Sequence, residues 1–207
     1  MAMPVFPTKG NLINTKKSLS LAKLGFDLMD RKRNILIREM VSLVDKAKSI
    51  RGEIESTYAQ AYKALQSANI TMGVIDNIAN GIDVETGVHI TYRSVMGVEI
   101  PRVSLQSTLS AKAYGFMDTN SQFDLAYASF EKAKELTVVL AEVENSVCRL
   151  ANEIKKTQRR ANALHNIIIP QFEDTIKMIS ESLEEKEREE FSRLKVIKKQ
   201  KERAGQS

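Results

Sequence analysis

Apolar residues recur at alternating intervals of three and four through two long stretches of the chain. In the first, Leu19, Ala22, Phe26, Met29, Leu36, Met40, Leu43, Ala47, Ile50, Ile54, Ala61, Ala64 and Ala68 fall on one face, with only Arg33 and Thr57 as polar interruptions. In the second, Leu136, Leu140, Val143, Val147, Leu150, Ile154, Ala161, Leu164 and Ile168 do the same around Thr157. A 3.5-residue repeat held this long implies a left-handed supercoil with a partner helix. The seam residues Leu36, Leu43, Ile50 and Ile54 are therefore expected to pack against Leu140, Val147 and Ile154.

Breakers divide the chain into three parts. Five of its nine glycines lie between Gly73 and Gly115, whereas Gly52 is the only breaker between Phe26 and Met72, and Pro170 the only one between Phe116 and Ala204. The pattern predicts a first coiled-coil helix over 12–72, a turn-rich middle over 73–117 and a second helix over 118–203, all in one elongated domain spanning 1–207. Thr119 with Gln122 fits a capping box for the second helix, and Pro170 predicts a kink. The fold class is all-α: a long antiparallel two-helix coiled coil. At ~1.5 Å per residue, a first helix of about 60 residues would be on the order of 90 Å long.

The middle changes period. Val88, Ile90 and Tyr92, then Val98, Ile100 and Val103, are β-favouring, and the two runs meet at Val95-Met96-Gly97-Val98. This predicts a short β-hairpin, Val88–Val95 with Val98–Val103. Pro101 lacks a donor, so its strand should be an edge strand. A lone hairpin is marginal in water and needs a helix or a partner to cover it.

Composition agrees with packed helices. Aromatic residues are 6% of the 207, Trp is absent, charged residues are 28% and apolar residues 43%. The single cysteine, Cys148, cannot form an intrachain disulfide, no apolar run approaches a membrane span, and Met1–Lys17 lacks an apolar signal core. A cytoplasmic protein is expected. Between Lys9 and Arg33 seven basic and two acidic residues give +5; between Phe191 and Arg203 six basic and one acidic residue also give +5. Such ends suit an acidic protein surface, anionic lipid or nucleic acid, although base-stacking aromatics are few there.

Catalytic chemistry has no foothold in the sequence. No phosphate-cradling or dinucleotide glycine motif and no nucleophile elbow occurs. His89 and His165 lie far apart and in no metal-ligand spacing. The run Glu184–Glu190 reads as a solvated helix face, and Asn69-Ile70-Thr71 as a sequon without a secretion context. No catalytic residue, metal site, cofactor or direct nucleotide binding is expected.

Four stretches carry a family resemblance. Pro7-Thr8-Lys9 precedes Leu21-Ala22-Lys23-Leu24-Gly25-Phe26-Asp27-Leu28 and Arg31-Lys32-Arg33; Arg93-Ser94-Val95-Met96-Gly97-Val98-Glu99-Ile100-Pro101 follows in the middle; Arg159-Arg160-Ala161-Asn162-Ala163-Leu164 through Ile168-Ile169-Pro170 and Leu183-Glu184-Glu185-Lys186-Glu187-Arg188-Glu189 close the series. In this order they resemble the D subunit of V-type and archaeal-type (V/A) rotary ATPases. Asn34 stands where that family usually has an acidic residue.

The resemblance implies a non-catalytic central-stalk shaft, peripheral to the membrane. Its helix pair would turn inside a hexamer of A and B subunits, and so couple ATP hydrolysis or synthesis there to H⁺ or Na⁺ transport. Its middle would bind the small F subunit, and its lower end the membrane-associated subunit that connects to the ion-carrying ring. On this view Lys16, Lys17, Lys23, Arg31, Lys32 and Arg33, with Arg193, Lys195, Lys198 and Lys199, face the hexamer, and nucleic acid is not a partner. The alternative is a coiled-coil membrane-surface or scaffold protein, for which the hairpin has no clear purpose.

Overall fold

The computed structural model describes residues 6–82, 84–106, 114–115, 117 and 119–204. Helix α1 runs over Lys9–Met72, a short α2 over Asp76–Ala79, strands β1 and β2 over Val88–Val95 and Val98–Leu105, α3 over Ser121–Ala163 and α4 over Ile169–Ala204, with a π-helical turn Leu164–Ile168 between the last two. The fold class is the one expected: all-α, with long helices and one antiparallel hairpin.

The helix ends have local causes. α1 begins three residues before the expected position because Thr8 Oγ1 accepts from the Asn11 N–H at 3.2 Å, an N-cap. Gly52 does not interrupt it; a helical glycine costs only about 1 kcal/mol relative to alanine. The cap of α3 is Asn120, not Thr119. The Asn120 side chain accepts from the Phe123 N–H at 3.0 Å, while Thr119 donates to the Gly115 carbonyl instead.

Pro170 likewise acts differently from a simple break. The chain stays helical through it, and the turn before it widens so that the Ile169 N–H reaches the Leu164 carbonyl, five residues back. Proline offers no N–H to the carbonyl four residues earlier, and a π turn is one way a helix absorbs such a mismatch.

The chain forms two compact units, one of residues up to Arg33 with those from Lys156 onward, the other Asn34–Lys155. In the second unit Arg51 pairs with Glu144 at 2.6 Å, Tyr58 with Thr137 at 3.2 Å, and Thr71 with Asn120 at 2.6 Å. Partner numbers fall on α3 as they rise on α1, so the helices are antiparallel. The first unit repeats the relation: Lys9 meets Glu187 at 2.9 Å, Lys23 meets Glu173 at 2.8 Å, and Arg33 donates to Gln158 at 2.8 Å.

Burial follows both repeats. Every position of the two seams is buried or half-buried, the polar ones included. The buried hydroxyl of Thr57 donates to the Glu53 carbonyl at 2.7 Å and that of Ser146 to Glu142 at 2.7 Å, which satisfies each inside its own helix. Near the Gly73 end of α1 the buried faces of Ala61, Ala64 and Ala68 leave room for aromatic residues: Phe130 lies edge-on to Tyr62 at 5.3 Å, and Phe123 shares a cluster with Ala68 and Ile75.

Candidate interaction surfaces

The hairpin turns on Met96 and Gly97, both with positive φ, 51° and 78°. Two such residues match a two-residue turn whose twist suits the strands; Gly97 adopts this backbone freely, whereas Met96 does so against its Cβ. The register is unbroken over eight pairs, from Val95↔Val98 to Val88↔Leu105. β2 is thus two residues longer than expected.

One hairpin face is packed. Val98 and Ile100 join Leu36 of α1 and Leu150 of α3 in one buried cluster, with Met40, Leu43, Val95 and Ile154 packed against it. The periodicity placed Leu36, Leu43 and Ile154 in a seam between helices; the structure adds a third element to that seam. Ile50 is buried, and Ile54, Leu140 and Val147 are half-buried. The hairpin therefore lies on helices of its own unit, and Val98 is core where Met96 and Gly97 are exposed. The only signal in the sequence was the apolar pair Val98 and Ile100 on either side of Glu99, which marks a buried face without saying what covers it.

Two α3 side chains close the outer edge of β2. Glu142 Oε2 accepts from the Val103 N–H at 2.7 Å, and Arg149 donates to the Glu99 carbonyl at 3.1 Å. Arg149 also stands over the Tyr92 ring at 5.3 Å. The other face of the hairpin, Val88, Ile90, Tyr92, Pro101 and Val103, borders a groove against Val138, Ala141 and Asn145.

The ten basic residues expected at an interface are not equivalent. Arg33 is half-buried in the seam, bonded to Gln158 and paired with Asp30 at 2.5 Å. Lys23 is paired with Glu173, and Arg193 with Glu189 one turn back at 3.7 Å. Lys195 stands over the Phe191 ring at 5.6 Å. Lys16, Lys17, Arg31, Lys198 and Lys199 are exposed, and Lys32 is half-buried. Because Lys9 already lies beside Glu187, the stretch from Arg193 to Lys199 runs past the start of α1 rather than alongside Lys16 and Lys17, and every residue from Glu184 to Lys201 is exposed.

The same unit exposes apolar residues that the periodicity did not single out. Leu21, Leu24 and Leu28, at spacings of three and four, are all more than half exposed on α1. They form a second stripe beside the seam, flanked by Lys17 and Arg31.

Tyr114 donates a short hydrogen bond, 2.5 Å, to Asp124 and lies edge-on to Phe123 at 4.8 Å. Burial first, and the hydrogen bond to Asp124 second, push its phenol up to about 12. Cys148 is an exposed free thiol bordering a shallow groove with Val44, Ala47 and the Arg51–Glu144 pair. Among the described residues no group of His, Cys, Asp and Glu side chains is arranged to hold a metal ion, and no helix is long and apolar enough to cross a membrane.

Comparison with known proteins gives one consistent result. The family described as the D subunit of ATP synthase matches residues 11–199. The D subunit of a V-type ATP synthase from Thermotoga neapolitana is 46% identical over 198 residues, which cover 95% of this chain and 98% of the relative. The D subunit of an A-type ATP synthase from Pyrococcus horikoshii is 39% identical over 95% of this chain and 94% of its own length. Its counterpart from Methanosphaera stadtmanae is 37% identical over 93% and 92%.

Proposed function

The chain belongs to the ATP synthase D-subunit family, and from that premise we propose that it is the central-stalk shaft of a rotary V/A-type ATPase. In this reading it couples ATP turnover in a hexamer of A and B subunits to H⁺ or Na⁺ transport, and has no catalytic role of its own. The observation that carries the reading is the antiparallel helix pairing found in each unit, residue against residue. Paired helices with a continuous apolar seam resist twisting, which a torque-bearing element requires. The middle of the chain would meet the small F subunit, and the membrane-associated subunit would connect it to the ion-carrying ring.

The surface offered to the hexamer combines two features of the terminal unit. Exposed Lys16, Lys17, Arg31, Lys195, Lys198 and Lys199 call for an acidic sleeve. Exposed Leu21, Leu24 and Leu28 call for apolar patches within it. Lys23, Lys32, Arg33 and Arg193 would contribute less freely, because three of them are paired inside the unit and Lys32 is half-buried.

The test is co-expression with the other subunits, followed by native mass measurement and assays of ATP turnover and ion transport. One copy per assembly is expected, and omission of the chain should abolish ATP-driven ion transport. An assembly that pumps ions fully without this chain would refute the reading.

A further inference from the structure

The two edges of the hairpin are treated differently. The two-residue turn makes Val95↔Val98 a hydrogen-bonded pair, and antiparallel pairing then alternates bonded and non-bonded pairs. The Gln106 N–H to Gly87 carbonyl bond at 2.9 Å continues the same alternation. On β2 the outward-pointing backbone belongs to residues 99, 101, 103 and 105. α3 covers it through Glu142 on the Val103 N–H and Arg149 on the Glu99 carbonyl, and Pro101 has no N–H to present. On β1 the outward backbone belongs to Val88, Ile90, Tyr92 and Ser94. The whole strand is exposed apart from half-buried Val95.

Natural edge strands are commonly blunted by lysine, proline, a bulge or a covering element. Among the described residues β1 has none of these. It carries eight residues in unbroken register, rich in β-favouring side chains. Val88, Ile90 and Tyr92 point to one face, with Ile90 and Tyr92 56% and 58% exposed. That face borders the groove against Val138, Ala141 and Asn145. The opposite face is the one that packs through Val95, Val98 and Ile100; toward its open end it presents His89 and Thr91, with exposed Arg102 across the ladder from Thr91, while Arg93 is paired with Glu39 of α1 at 3.3 Å. His89, Thr91 and Arg102 make the open end of that face polar and favour acidic or hydroxyl side chains.

We propose that the outer edge of β1 receives an extended strand of another subunit, which adds to the hairpin as a third strand. Its alternate residues would be apolar, set over Val88, Ile90 and Tyr92, and those between them acidic or hydroxyl-bearing, set beside His89 and Thr91 and within reach of the long Arg102 side chain across the ladder. Main-chain hydrogen bonds supply the attachment and the alternating side chains supply selectivity. The proposal rests on the reading that this chain works within a multisubunit assembly.

The test is amide hydrogen exchange at single-residue resolution, on the free chain and on the co-expressed assembly. In the free chain the amides of Val88, Ile90, Tyr92 and Ser94 should exchange fast, while those of Thr91 and Arg93, inside the ladder, exchange slowly. In the assembly the fast set should slow at least tenfold. Ile90→Pro deletes an outward donor without removing a ladder bond, and Ile90→Lys keeps the donor but adds an edge charge. Both should weaken retention in the assembly at least tenfold, with Thr91 and Arg93 still protected. If the chain joins no assembly, the functional reading falls and this proposal with it. If it assembles while the outward amides stay fast, or if both variants assemble as well as wild type, the proposal alone is overturned. Protection in the free chain that grows with concentration would assign the edge to a second copy and also overturn it.

Discussion

Leu36 of α1 and Leu150 of α3 are both fully shielded from solvent in one cluster, and Val98 and Ile100 of β2 close it. The hairpin is therefore part of the core of its unit. Truncating any of these side chains loses transfer energy and leaves a cavity, about 2–5 kcal/mol for Leu or Ile to Ala. Leu36→Ala, Leu150→Ala and Ile100→Ala should each cost that much in urea unfolding of the isolated chain. The Leu36/Leu150 double variant should lose less than the sum, because the two residues share one cavity. An Ile100→Ala variant that unfolds at the wild-type midpoint would show the hairpin to be peripheral.

Two glycine substitutions should move stability in opposite directions. A Cβ on Gly87 would stand 1.8 Å from the Gln106 carbonyl oxygen, so the last bonded pair of the hairpin must open. Gly87→Ala should cost about 1–3 kcal/mol, in the usual range for a strained backbone. A Cβ on Gly52 meets nothing within 4 Å, inside α1. Gly52→Ala should therefore stabilise by about 0.5–1 kcal/mol. Urea midpoints of the two variants moving the same way would contradict this.

Tyr114 gives the chain a late-titrating phenol. Its pKa is raised to about 12, first by burial and then by the bond to Asp124; a free tyrosine ionises near 10. The neutral form is favoured in the folded state. Its contribution is therefore complete below about pH 10 and is lost as pH rises from there toward 12. Spectrophotometric titration of the five tyrosines should show one ionising late, and Tyr114→Phe should remove that step alone. A single transition near pH 10 for all five would exclude the bond.

The helices were legible because the seam is redundant: thirteen apolar positions at strict spacing on α1 outvote Arg33, Thr57 and Gly52. The hairpin was legible from β-favouring alternation around Met96-Gly97. Its packing was not, because periodicity within one element cannot tell which element covers it; Val98 and Ile100 met Leu36 and Leu150 only in three dimensions. The α3 cap moved from Thr119 to Asn120 because adjacent polar residues compete for the same N–H groups. The basic residues divided for a similar reason. Composition counts Arg33 with Lys16 and Lys17, yet Arg33 occupies a seam position and Gln158 and Asp30 hold it there.

That division sharpens the test of the surface proposed to face the hexamer. Lys16, Lys17 and Lys199 are exposed, and exposed charges contribute little to folding, about 0–1 kcal/mol per pair. Replacing all three with Gln should leave the unfolding curve of the isolated chain within about 1 kcal/mol of wild type. It should weaken assembly with the A and B subunits at low salt, where an acidic sleeve would attract them. Raising the salt should shrink the difference between variant and wild type, because the lost contribution is screened over about 8 Å at physiological ionic strength. Leu24→Ser, made separately, should weaken assembly by an amount that salt does not reduce, because apolar burial is not screened. Assembly and ATP turnover of both variants should be followed across a salt series. If the triple variant assembles as wild type at every salt concentration, the lysines are only a solvated face. If the Leu24 variant also assembles as wild type, the terminal unit does not meet the hexamer through this side of α1.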